Sequence, residues 1–219
     1  MSLPASGLPL WLQLAGLLGF AAVLLWAGWF AGWRALKDNG LVPVWFAAIA
    51  LVAFLWSMQI GVRDGLVLHL LGTASLVLIF GPALAILAFA GALAINIVSG
   101  NSALALAGVH GLLLIALPVW VAYQAHHQLR RWLPLNPFVF FLGSGFLGGM
   151  LALAAPILVS AALLWSFDVH PGWVIWEDYL ALLPLMLFPE GFINGAVMTA
   201  LAVWQPHWVR TFDDAEYLR

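Results

Sequence analysis

Cysteine is absent from all 219 residues. No disulfide, thiolate metal site or thiol nucleophile can therefore form. Charge is nearly as scarce: Asp, Glu, Lys and Arg make up 7% of the chain, against roughly 25% in soluble domains. The net charge of −2 gives no footing for nucleic acid binding. No G-x-x-x-x-G-K-[ST] loop is present, so any energy from nucleotide hydrolysis must come from partners. No H-E-x-x-H or paired-carboxylate motif is present either, and an enzyme is not expected. What remains is a chain that is 65% hydrophobic. That composition predicts an all-α polytopic membrane protein, one transmembrane domain over residues 1–219, with the lipid bilayer as its main surrounding.

Apolar runs, turns and prolines divide the chain. Leu8–Trp33 is the first expected span, and with no basic stretch ahead of it and no small-residue cleavage site it is read as a retained helix. Asp38-Asn39-Gly40 stops it, and Val42–Val62 is the second span. Arg63-Asp64-Gly65 is a tight charged turn. Leu66–Val98 is too long for one crossing, since roughly 20 residues span the hydrocarbon core. Gly81-Pro82 falls near its middle, where proline removes a backbone donor. Two short helices are expected there, Leu66–Phe80 and Pro82–Val98. Ala103–Ala125, Phe138–Trp165 and Tyr179–Trp204 complete the set. Gly145 and Gly149 form a small-xxx-small pair suited to close helix contact.

Seven spans with the N-terminus outside place Arg34, Lys37, Arg130, Arg131, Arg210 and Arg219 in the cytoplasm and only Arg63 outside. Six of seven basic residues on the inner side fits the positive-inside rule, and that split also favours the break at Gly81-Pro82. Trp11, Trp165, Trp173 and Trp176 then mark the outer interface. Trp33, Trp45, Trp132, Trp204 and Trp208 mark the inner one.

Polar groups inside such runs are costly and call for a reason. His69 is expected at the outer start of the third helix, where the helix N-terminus keeps an imidazole neutral and able to ligate. The alternative is a histidine bonded to a backbone carbonyl. His110 lies roughly 10 Å into the fifth helix, and Asn96 at the outer end of the fourth. Each could serve an interhelical hydrogen bond instead. All three fall in the outer half, and two imidazoles with an amide oxygen suit Co²⁺, Ni²⁺ or Zn²⁺. Glu190 is the only acid deep in a span, and Asn194 shares its face at i+4. Proton relay or coupling to a partner is one reading of this pair. The other is a protonated or amide-paired glutamate tying helices together, in which case Glu190→Gln leaves the fold nearly intact. His126 and His127 are expected to be solvated in a basic loop.

Met58 is followed eleven residues later by His69-Leu70-Leu71-Gly72, then by Gly81-Pro82-Ala83, Asn96, Gly100-Asn101 and Gly108-Val109-His110. Glu190-Gly191 and Thr199-Ala200-Leu201-Ala202-Val203 follow near the C-terminus. In this order the chain resembles the cobalt/nickel substrate-specific permease component of energy-coupling-factor transporters, the CbiM/NikM type. There Q-M-I-N-F-P-V…G-H-L-L-G-G is followed by L-G-P-W-A, a glutamine, G-D-G-G and G-A-N. Asn96 stands where the glutamine is expected, and His110 replaces the asparagine of G-A-N. The family begins M-H-I-P-E-G-F, whose free N-terminus and second-position histidine are metal ligands. Ser2 stands at that position here.

The resemblance implies uptake of a divalent metal ion (Co, Ni or Zn) from the outer side as substrate, with no prosthetic group. It implies a membrane coupling subunit and ATPase subunits as partners, and the cell (inner) membrane as location. His69 alone matches a family ligand, and His110 is the replacement for the missing histidine. The alternative is an accessory or structural membrane protein that keeps the fold and has lost the site.

Overall fold

Proline and glycine set most of the helix boundaries. In the computed structural model, which describes residues 8–58, 60–63 and 66–217, α1 runs over Leu10–Phe30 and a short α2 over Trp33–Asp38. Pro43 sits in the first turn of α3, Val42–Ser57, where its missing N–H has no helical partner to lose. A two-stranded antiparallel hairpin follows, Ile60–Arg63 against Leu66–Leu68, paired Ile60 to Leu68 and Gly61 to Val67. Then come α4 (Thr73–Phe80), α5 (Pro82–Val98), α6 (Leu104–Trp132), α7 (Val139–Ser166) and α8 (Val174–Trp204). A single-turn α9, Asp214–Tyr217, ends the described chain. The expectations for Ser2, Asp64-Gly65 and Arg219 lie outside the described residues.

The break at Gly81-Pro82 is present. Gly81 takes φ +83, a conformation closed to residues with a Cβ, and Pro82 opens α5. The expected helix Leu66–Phe80 is not: only its second half, Thr73–Phe80, is helical. The first half pairs as a strand and then runs as irregular chain through His69 and Leu70. Its turn back into helix is made at Gly72, φ +70. The second expected span likewise ends at Ser57, five residues early, because the hairpin takes over. The fifth ends later than expected, at Trp132. Within it a π-helical stretch, Gly111–Ala116, precedes Pro118, whose ring cannot fit a regular α-turn.

α4 is the centre of the bundle. All eight of its residues are buried, and it touches α5, α6, α7 and α8. Phe89, Leu71, Leu78, Ile115, Phe140 and Met198 fill the core around it. α1 lies outside, on α5 and α6. α1 crosses α6 closely, because a Cβ on Gly108 would collide with the Leu17 backbone. α7 and α8 meet at the predicted small residues: a Cβ on Gly145 would come within 3.1 Å of Gly195 Cα, and one on Gly149 within 3.0 Å of Asn194.

Candidate functional site

A helix start buried in protein has N–H groups with no helical partner, and in a membrane no water reaches them. At α4 they are met from α8, one full domain-length later in sequence. Leu71 N–H donates to Glu190 Oε2 at 2.8 Å, and Gly72 N–H to Glu190 Oε1 at 2.7 Å. Ser75 donates both its N–H and its hydroxyl to Asn194 Oδ1, each at 2.8 Å. Asn194 Nδ2 in turn donates to Glu190 Oε1 at 2.9 Å and to the Glu190 carbonyl at 2.8 Å. The i+4 spacing therefore makes one polar unit, as the sequence suggested. Both carboxyl oxygens accept from N–H groups, so Glu190 acts as the cap of a buried helix. The helix N-terminus also favours a negative group there.

This reassigns the electrostatic argument made for His69. His69 stands four residues ahead of Thr73, in irregular chain, so the α4 N-terminus acts on Glu190 and not on the imidazole. His69 is buried beside Trp56, ring centroids 5.2 Å apart, and Trp56 stacks on Phe89 of α5. His69 Nδ1 lies 3.2 Å from the Leu70 carbonyl oxygen. A carbonyl only accepts, so Nδ1 carries the proton and Nε2 keeps the lone pair that a metal needs. His110 is buried in the second turn of α6.

Asn96 is placed differently. It is buried on α5, and its Nδ2 donates to the Ala53 carbonyl of α3 at 3.1 Å and to Ala92 at 3.0 Å. Its oxygen faces Asn101 Nδ2 at 3.5 Å. Among the described residues no group of three or more His, Asp and Glu comes together. Two polar atoms of the His69 region, Trp56 Nε1 and Thr73 Oγ1, are buried without a hydrogen-bond partner.

Sequence reasoning missed Ser75, Trp56 and Thr73. Ser75 and Thr73 stood in plain view as hydroxyls in an apolar run, and for Ser75 only the partner residue Asn194 was hidden. It also misread His126, which is buried inside α6 with Nδ1 2.9 Å from Ser144 Oγ, not solvated in a loop. His127 stacks on Tyr123 one turn away. The basic residues around them suggested a loop, yet they line the exposed last turns of a helix.

Residues 3–208 match the sequence model of the CbiM family, described as the cobalt uptake substrate-specific transmembrane region. The chain belongs to this family. No curated protein matches it. Two solved structures share its fold. A transition metal transporter is 19% identical over 93% of each chain, with a TM-score of 0.73. A truncated transition metal transporter is 18% identical over 93% of this chain and 99% of its own, with a TM-score of 0.76. As a CbiM-family chain with this fold, the protein is a multi-pass membrane transport component and not an enzyme. Gly191 earns its place sterically, since a Cβ on it would lie 2.8 Å from the Phe146 carbonyl.

Proposed function

We propose that this chain is the substrate-specific membrane component of an energy-coupling-factor-type transporter that takes up a divalent transition-metal ion, Co²⁺, Ni²⁺ or Zn²⁺. The burial of His69 and His110 within a CbiM-family fold carries this reading. His69 is the anchor ligand through Nε2, His110 the second, and the Asn96 oxygen the third candidate. Glu190 and Asn194 couple the His69 segment to α8. The chain is one transmembrane domain with seven passes and an outside N-terminus, in the cell inner membrane, working with a membrane coupling subunit and ATPases.

Isothermal titration calorimetry of the purified protein with each of the three ions tests the site. His69→Ala should abolish binding and His110→Ala weaken it. Binding should be lost in acid, because protonation removes the lone pair that a metal needs. Equal binding by the native protein and His69→Ala would move the site elsewhere. Absence of binding by the native protein would favour the second reading, an accessory membrane protein that keeps the fold without the site. Ser2, in place of the family's second-position histidine, is what supports that reading. The topology is tested separately, on a chain with no native cysteine: Asn101→Cys should react with an impermeant thiol reagent from outside, and Gln128→Cys should not.

A further inference from the structure

The last four turns of α6 carry one stripe that changes character along its length. Trp120, Tyr123, His127 and Arg131 follow one another at spacings of three or four residues, so they share a face. The upper part of the stripe borders an apolar groove of about 480 Å³, closed by Val23 and Trp26 of α1 and by Ile86 of α5. The lower part borders a basic pocket of about 460 Å³, lined by His127, Arg130, Arg131 and Thr211. Tyr123 lines both, so groove and pocket adjoin. The Tyr123 ring stacks on His127, 6.2 Å between centroids, at the boundary.

Lipid tails cover any outward apolar surface, but a groove between helices holds one chain in a fixed place. The basic mouth adds a demand for negative charge that zwitterionic lipids do not meet. Arg130 is partly neutralised by Glu216 at 2.7 Å. Arg131 meets only the Trp132 ring, at 5.6 Å, among the contacts resolved for it. We propose that a single anionic phospholipid occupies this stripe, with an acyl chain in the groove and its phosphate at Arg131 and Arg130. Basic pockets between helices at a membrane edge are suited to such headgroups. The long axis fits: from Trp120 to Arg131 the helix rises roughly 16 Å at 1.5 Å per residue, about the length of a headgroup and the first half of a chain.

The test is native mass spectrometry of the full chain, released from micelles containing phosphatidylglycerol or phosphatidylcholine with the same acyl chains. Phosphatidylglycerol should remain bound and phosphatidylcholine should not. Arg131→Gln should lower retention about fivefold, the weight of one basic side chain near an anionic surface. Glu216→Gln, which frees Arg130, should raise it. These opposite signs separate a binding effect from misfolding, which would lower both. Equal retention of the two lipids, an unchanged Arg131→Gln variant, or a fall for Glu216→Gln would each overturn the proposal. Displacement of phosphatidylglycerol by millimolar inorganic phosphate would overturn it too, and make the pocket a site for the free ion.

Discussion

α1 and α4 are both uninterrupted apolar helices, and they are held in opposite ways. α1 has 21 residues, of which only Gly16, Phe20 and Ala27 are buried. Lipid surrounds most of it, and its length alone satisfies its backbone across the membrane. α4 has eight residues, all buried, and spans roughly 12 Å at 1.5 Å per residue. It cannot cross by itself. The chain just ahead of it, His69–Gly72, is irregular, and such backbone within a membrane protein needs protein partners for its polar groups. Glu190 and Asn194 supply them at the start of α4. At its end Arg210 N–H donates to the Ile79 carbonyl at 3.2 Å, and Thr211 hydroxyl to Leu78 at 2.8 Å. Apolar composition thus says that both helices belong in the membrane, but polar partners decide which one forms the core.

Removing the cap should separate them most. Glu190→Ala leaves two buried N–H groups unpaired, at about 1–3 kcal/mol each, so a loss of about 2–6 kcal/mol is expected. It would be read as lost folded protein on heating in detergent. Glu190→Gln should fall between, at about 1–3 kcal/mol, because one amide NH₂ must face an N–H donor. That replaces the expectation of a nearly intact fold, and an unaltered melting temperature for the glutamine variant would restore it. Gly108→Ala comes next. Its methyl meets α1 backbone, and overpacking of this kind costs about 1–3 kcal/mol. Here the damage should show as loosened α1, seen by faster proteolysis near Leu17, with α4 protected. Leu18→Ala should do least. Leu18 is 72% exposed on the lipid side, and a change of about 0.5 kcal/mol or less is expected. A larger loss would mean that α1 has a packed partner on that face.

The membrane class, the family and the Gly81-Pro82 break were legible because each rests on local signals: composition, ordered short motifs and backbone chemistry. Asn194 could be paired with Glu190 for the same reason, since they lie one turn apart. What was not legible depends on contacts between distant segments. The late start of α4 at Thr73 is held by a cap more than a hundred residues away, and within Leu66–Gly72 only Gly72 marks it. His126 looked solvated because its sequence neighbours are basic, whereas its spatial neighbours are Ser144 and Phe140. The two histidines were expected together, and both are buried. The amide of Asn96 was expected beside them, and its Nδ2 ties α5 to α3.

The distance in sequence between α4 and its partners also sets an order of assembly. Leu71 waits for Glu190, 119 residues on, and Leu78 waits for Thr211, 133 residues on. At about 5–20 residues per second of synthesis, that delay is on the order of ten seconds. During that time the segment has neither end closed, while α1, α3 and α5 have already emerged. The innermost helix is therefore locked late, by Glu190 and Thr211, made more than a hundred residues after the segments they hold.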